Sequence, residues 1–123
     1  MKSNLINNNM AKATTFSKNL SDITGTDNYI LREVRTNYIY KGKERTDDVD
    51  SISYSVIEPN SFSTFKVKIK TAVPQFTQAQ IEASDANIWV NFENAIATPY
   101  AVEYGNAKLS ITANSIAIVP DLM

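Results

Sequence analysis

Three lysines at alternate positions carry the clearest chemical signal in this sequence. The stretch FKVKIK, residues 65 to 70, places Lys66, Lys68 and Lys70 between apolar residues. Because side chains alternate between the two faces of a β-strand, this spacing predicts a half-buried strand with a cationic outer face. A row of exposed ammonium groups attracts anions, among which the phosphates of nucleic acid are natural partners. The pattern therefore predicts that this strand binds an anionic partner.

Aromatic side chains near the lysine row supply a second requirement, because nucleic-acid bases stack on aromatic rings with about 1 to 3 kcal/mol per base. Phe62 has even spacing with the lysines and is predicted to extend their face, with a cap on the barrel as its alternative. On the first strand Arg32, Tyr38 and Tyr40 share one parity. Arg35 has the opposite parity unless a bulge intervenes, and partial burial is the alternative for the tyrosines.

A basic loop is predicted between the first and second strands, over residues 41 to 50. Its acidic residues argue against binding, since they can neutralise the loop. Together, the residues predicted to bind nucleic acid are Arg32, Arg35, Tyr38, Tyr40, Lys41, Lys43, Arg45, Phe62, Lys66, Lys68 and Lys70.

The residue types needed for most catalysis are scarce. The chain has no cysteine, which excludes thiolate chemistry, and no histidine, which removes the commonest general base and metal ligand; it has only three glycines. Neither a phosphate-binding glycine loop nor a nucleophile elbow occurs. Asp47, Asp48 and Asp50 lack the glycine and distal glutamate of a calcium loop, so a solvated turn is predicted. We expect a protein that is not an enzyme and uses no cofactor or metal.

Charge is distributed unevenly along the chain. The net charge is −1, but residues 1 to 70 hold eleven bases against eight acids, and residues 71 to 123 hold one base against five acids. Any electrostatic partner must therefore be held by a local patch. The Asn-rich residues 1 to 27 read as a flexible arm, which could instead dock on a neighbouring subunit. No signal peptide or membrane span is recognised, and a soluble, cytoplasmic protein is expected.

The rest of the chain, residues 28 to 123, is predicted as one all-β domain. Proline and asparagine after the second strand indicate a hairpin turn, and Thr77 is a candidate helix cap. Predicted strands cover residues 28 to 40, 51 to 57, 62 to 70, 87 to 92 and 107 to 119, with a short helix over 78 to 83, a loop over 98 to 105 and a bulge near Asn114. Three strands, a short helix and two strands is the element order of the OB-fold, a five-stranded Greek-key barrel.

The second half of the chain carries a family resemblance. From about Thr64 to Val119 the strand FKVKIK, the Pro74 loop, the segment IWVNFENAIATPYA and the closing LSITANSIAIV resemble OB-fold single-stranded-DNA-binding proteins of Gram-positive conjugative plasmids and phages. This half also looks like the YdcP-like proteins of conjugative transposons. The resemblance implies binding of single-stranded DNA, with RNA as a further candidate, in plasmid, conjugation or phage DNA handling. The alternative is a structural or interaction domain that assembles through its N-terminal arm.

Overall fold

Most of the described part of this protein consists of β-strands, in which apolar and polar residues tend to alternate. A computed structural model describes residues 17 to 71 and 73 to 120. These residues form eight strands and two short helices. In chain order the elements are β1 Lys18–Asn19, α1 Leu20–Thr24, β2 Tyr29–Lys41, β3 Glu44–Ile57, β4 Thr64–Ile69, α2 Gln78–Ala83, β5 Ile88–Glu93, β6 Ile96–Glu103, β7 Asn106–Ala113 and β8 Ser115–Ile118.

All eight strands belong to one sheet, in the order β1-β6-β7-β4-β3-β2-β5-β8. The sheet curls into an open half-barrel. Neighbouring strands are antiparallel except for β4 and β7, which run parallel. The chain makes this parallel pair by crossing over through α2, β5 and β6 before β7 returns beside β4.

The last four strands form one long hairpin that is bent in its middle. β6 follows β5 after a bend at Asn94, whose φ of 52° lies in the left-handed region. β8 follows β7 after Asn114 alone, whose N–H donates to the carbonyl of Glu93 at 2.9 Å. The pairing of β5 with β8 therefore keeps the register of the pairing of β6 with β7.

The core lies on the concave side of the sheet. It takes the inward residues of every strand from β2 to β8, together with Leu20 from α1 and Phe76 before α2. Tyr54 is fully buried, its ring lies edge-on to Phe76 with 6.5 Å between centroids, and its hydroxyl accepts the N–H of Gln75 at 2.9 Å. The connection after β4 is thus held to the centre of the sheet.

The helix predicted between the third and fourth strands is confirmed as α2. Thr77 caps it: its hydroxyl accepts the N–H of Gln80, whose side chain accepts the N–H of Thr77 in return. Gln78 Oε1 also accepts the N–H of Val34 from β2 at 2.9 Å. Among the described residues no helix is long and apolar enough to cross a membrane.

The predicted all-β character is confirmed, but the predicted count of five strands and one helix is wrong. Residues 44 to 50, predicted as a charged turn, are strand, because polar side chains can lie on the solvent side of a paired ribbon. Residues 98 to 103, predicted as a loop, belong to β6, an edge strand that tolerates Pro99. The closing strand is divided at Asn114, where a bulge was predicted.

Part of the predicted N-terminal arm packs on the sheet. Lys18 and Asn19 pair with β6, and the N–H of Leu20 donates to the carbonyl of Ala95 at 2.8 Å. Thr24 hydrogen-bonds the hydroxyl of Tyr29 at 2.9 Å. Residues 17 to 27 therefore add a strand and a helix to the sheet, whereas residues 1 to 16 of the predicted arm lie outside the described residues.

We expect Leu20→Ala to lower the free energy of unfolding by about 2 to 5 kcal/mol, because it removes a fully buried side chain that anchors α1. Ile23→Ala, on the same helix at 43% exposure, should change it by less than about 0.5 kcal/mol. Urea unfolding followed by circular dichroism measures both. Equally small effects would show that α1 does not pack on the sheet in solution.

Candidate nucleic-acid interface

The lysine row of β4 lies on the convex, outer face of the sheet. Val67 and Ile69 are buried in the core, and the alternate positions pair across to β3, with Lys66 opposite Ser55 and Lys68 opposite Ser53. The predicted alternation of FKVKIK is therefore confirmed. These two lysines lie beside β3, whose outward residues at the paired positions are serines.

Those serines form a narrow polar floor between two rows of longer side chains. Ser53 pairs with Arg35 of β2 on one side and with Lys68 of β4 on the other. Ser51 and Ser53 point outward but are buried, and the Asn37 amide nitrogen donates to their hydroxyls at 3.1 and 2.8 Å. Ser55 likewise pairs with Glu33 of β2 and with Lys66 of β4, so an acidic side chain shares this face. We call this surface the serine channel; its residues are Glu33, Arg35, Asn37, Ser51, Ser53, Ser55, Lys66 and Lys68.

Lys70 differs from the other two lysines because it is already paired. Its Nζ lies 3.0 Å from Asp50 Oδ1, and Ser51 donates to the same carboxylate, also at 3.0 Å. The hydrogen bonds from Lys70 and then Ser51 lower the pKa of Asp50. Within the described residues, Lys66 and Lys68 have no ion pair. Lys68 nevertheless acts on Asp50 through its charge and contributes to lowering the pKa of that carboxyl.

An aromatic depression adjoins the channel at the end where β2 turns into β3. It has a volume of about 350 Å³. Arg45 lies with its guanidinium carbon 4.3 Å from the centroid of the Tyr38 ring, and Tyr40 is 60% exposed. The residues that line it are Arg35, Thr36, Asn37, Tyr38, Tyr40 and Arg45.

Irregular pairing brings these residues together. Arg35 was predicted on the parity opposite to Tyr38 unless a bulge intervened, and the register of β2 and β3 does shift between Asn37 and Tyr38 and again before Tyr40. Both tyrosines therefore line the same depression as Arg35. Arg32 lies at another shift, between Leu31 and Glu33, and is exposed outside this depression.

The predicted basic loop is much shorter than expected. Only Gly42 and Lys43 connect β2 to β3, and Gly42 has a φ of 64°, which favours glycine in a tight turn. Lys41 is the last residue of β2, and Arg45 belongs to β3. Lys41, Lys43 and Arg45 therefore lie at the tip of a two-stranded ribbon and not in a long loop, because Glu44, Arg45 and Val49 already pair with β2.

Phe62 does not extend the lysine face as predicted, because it precedes β4 and lies in the turn after β3. Its φ is 60° and its side chain is 74% exposed. The turn is held by Glu58, a buried carboxylate that accepts the hydroxyl and N–H of Ser61, each at 2.6 Å, and the N–H of Asn60 at 3.0 Å. The Ser61 hydroxyl first, then these N–H groups, lower the pKa of Glu58 against the opposing effect of burial.

Three features of this surface were not predicted from the sequence. One is Asn37, whose position two residues after Arg35 on the same strand face could have indicated it. Another is Tyr104, 95% exposed at the tip between β6 and β7, where Gly105 is a turn signal. The third is the compensation of Lys70 by Asp50, which depends on pairing between β3 and β4. Among the described residues, no group of acidic side chains could hold a metal ion.

The comparisons with known proteins assign no family. No protein-family model matches the chain, and neither a curated protein nor a solved structure matches it. Any function assigned to the serine channel must therefore be argued from its own chemistry.

We expect Glu58→Gln to remove a pH-dependent part of the stability. Because the pKa of Glu58 is lowered in the folded state, its stabilisation is complete above the unfolded value of about 4.3 and is lost as pH falls through the folded value. The difference in unfolding free energy between wild type and variant should therefore shrink as pH falls from about 6 to about 3. Urea titrations across this range measure it.

Glu82→Gln, at an exposed position on α2, is the matched control for this pH series. A difference between wild type and Glu58→Gln that stays constant over the whole pH range would contradict the assigned hydrogen bonds.

Proposed function

We propose that this protein binds single-stranded DNA, largely without sequence preference, across its serine channel. The observation that carries the proposal is the pair Lys66 and Lys68 on β4, which makes no ion pair among the described residues, with Arg35 opposite Lys68 across Ser53. Ser51 and Ser53 are buried beside the Asn37 amide, so a phosphate backbone would be bound by the flanking Arg35, Lys66 and Lys68 side chains. The depression at its end offers exposed aromatic surface for base stacking, and cations combined with stacking surfaces are what non-specific single-strand binding requires.

The pairing pattern supports an OB-like interpretation of the half-barrel. In this interpretation β2, β3 and β4 are the first three strands, β5 with β6 is a bent fourth strand, and β7 with β8 is an interrupted fifth. The parallel pairing of β4 with β7 and the antiparallel pairing of β2 with β5 then link the five units in a ring. OB-folds bind oligonucleotides on the face of strands two and three, between the 1–2 and 4–5 loops.

The corresponding parts of this chain agree with that placement. The face of strands two and three is the face of β3 and β4, which carries the serine channel. The 1–2 loop is the turn at Gly42 and Lys43, and the 4–5 loop is the turn at Tyr104 and Gly105. Basic residues therefore lie at the first loop, and an exposed tyrosine lies at the second.

The wider role proposed from the resemblance is plasmid, conjugative-element or phage DNA handling in the cytoplasm, with no catalytic activity. RNA is the second candidate ligand, because stacking and phosphate contacts do not by themselves separate the two polymers. Fluorescence anisotropy with labelled dT and rU oligonucleotides of about 30 nucleotides tests both. If neither binds at low salt and micromolar protein, the proposal fails and a protein-interaction domain becomes the better account.

We expect Lys66→Gln with Lys68→Gln to weaken binding of the dT oligonucleotide and to flatten its salt dependence. Each lost phosphate contact removes about 0.7 from the slope of log affinity against log salt, so the pair should remove about 1.4. Anisotropy titrations at several salt concentrations give the slope. Lys18→Gln, on β1 at the far edge of the sheet, is the control and should leave it unchanged.

The ion pair between Lys70 and Asp50 allows a second test of the serine channel. Lys70→Gln should weaken binding less than either of the other lysine substitutions, because Asp50 already neutralises Lys70. Asp50→Asn should strengthen binding, since it removes an acid and releases that ammonium group. Equal losses from all three lysines would contradict the assigned role of Asp50.

We expect Tyr40→Ala to lower affinity for the oligonucleotide by about 1 to 3 kcal/mol, since it removes an exposed ring from the depression. Tyr40→Phe keeps the ring and should bind like the wild type. The salt slope should be similar in both variants, because stacking neutralises no phosphate. Unchanged affinity of Tyr40→Ala would remove the depression from the binding site.

A further inference from the structure

A gap between β4 and β7 is the strongest candidate for a further binding site. The two strands pair only over residues 67 to 69 of β4 and 111 to 113 of β7. Before these residues β4 continues beside β3 as far back as Thr64, whereas β7 continues beside β6. Among the described residues no other strand lies between β4 and β7. The gap forms a cleft with a volume of about 220 Å³.

An irregularity in β6 explains why the two strands diverge. The register between β6 and β7 shifts between Pro99 and Ala101, so that Tyr100 is an extra residue on β6. A strand that carries such a bulge bends and twists more strongly. The shift begins opposite Leu109, two residues before β7 starts to pair with β4 at Ile111. The hairpin of β6 and β7 therefore turns away from β4 at this point and leaves the cleft open.

The floor of the cleft is apolar and its rim is polar. Phe65, Leu109 and Ile111 form the floor; Ile111 is buried, and the other two are partly buried against the same core. Thr64 and Lys66 also line the cleft, and they lie on its outer side because side chains alternate along β4. A ligand in the cleft would therefore contact carbon atoms below, with a hydroxyl and an ammonium group at the opening.

The volume of the cleft determines which chemical group it can hold. A cavity of about 150 Å³ lined by leucine, isoleucine and phenylalanine side chains binds benzene. The cleft is larger than that cavity by about half, which leaves room for one six-membered ring with its exocyclic oxygen atoms or a methyl group. A pyrimidine base has this size. A purine adds a fused second ring and fits less well.

The cleft is continuous with the serine channel through Lys66. This lysine belongs to the channel and also lines the cleft, and it makes no ion pair among the described residues. A phosphate bound by Lys66 is joined to its base by a single sugar, so the base of the same nucleotide can reach the opening. None of the described residues that line the cleft is acidic, so no lining side chain repels the strand there.

We propose that this cleft holds one pyrimidine base of a single-stranded DNA whose phosphates lie along the serine channel. The apolar floor contacts the ring, and Thr64 and Lys66 supply hydrogen-bond donors for its carbonyl oxygens. This inference rests on the proposed function. It adds a preference for a pyrimidine at one nucleotide to binding that is otherwise largely independent of sequence.

Filling the cleft tests the proposal. Leu109→Phe adds a ring to the floor, whereas Leu109→Met keeps a side chain of similar volume and is the matched control. Anisotropy titrations use labelled dT and dA oligonucleotides of about 12 nucleotides, a length within the site sizes of OB-folds. Leu109→Phe should bind dT about 5- to 150-fold more weakly, the loss of one base contact, and should bind dA almost as the wild type does. Its salt slope should not change, because no phosphate contact is removed.

The outcomes separate this inference from the proposed function. Leu109→Met should keep the wild-type ratio of affinities for dT and dA. If the wild type binds dT but Leu109→Phe keeps that ratio too, the base cleft is wrong and the serine channel remains. If the wild type binds neither oligonucleotide, both the proposed function and the cleft fail.

Nuclear magnetic resonance of the wild-type protein tests the same contact without a substitution. With saturating dT oligonucleotide, nuclear Overhauser effects should connect the thymine methyl protons to the methyl groups of Leu109 and Ile111. The methyl groups of Leu31, buried in the core on β2, are the control and should show none. Bound dT without any such effect to Leu109 and Ile111 would overturn the proposal.

Discussion

The alternation of β3 is the constraint on which the rest of this structure depends. β3 pairs with β2 on one side and, over residues 52 to 57, with β4 on the other, and Ile52, Tyr54 and Val56 are fully buried at alternate positions. Because the side-chain period of a strand is two, a shift of one residue would move three serines into the core and these residues into solvent. The register of β3 therefore fixes the core and the polar floor together.

The register between β3 and β4 also determines which lysine side chains lie next to an acidic side chain. Pairing of β3 with β4 sets Lys66 and Lys68 opposite serines and brings Lys70 to Asp50, with which it forms an ion pair. A chain with a net charge of −1 thus presents a local cationic surface without being basic overall. For a binding protein this arrangement limits non-specific attraction to distant anions while keeping short-range phosphate contacts.

Strands in which apolar and polar residues alternate strictly could be predicted from the sequence, but the irregular strands could not. FKVKIK, residues 51 to 57 and the capping box at Thr77 each carry a local signal strong enough to fix an element. The charged stretch 44 to 50 and the segment around Pro99 carry the opposite local signal, and pairing with β2 and β7 overrides it. Leu20 was assigned to an arm because a single buried anchor has no periodicity.

The site shows the same division between local and non-local information. The lysine face follows from spacing within one strand, and it was predicted. The depression around Tyr38 depends on two shifts in the pairing of β2 with β3, and the neutralisation of Lys70 depends on a contact twenty residues away. The register shifts and the ion pair could not be predicted from a single sequence, because each depends on how two strands are paired.

Among the described residues, three residues other than glycine adopt positive φ. Asn94 at the bend after β5 is a residue that accepts this conformation easily, but Phe62 and Tyr104 are not. Glycine would relieve the strain at either position, and neither ring is needed for the core, since both are largely exposed. Folding alone therefore gives no reason for an aromatic residue at these two turns. Both turns lie at the end of β4 and β7 that is away from the turn at Gly42 and Lys43.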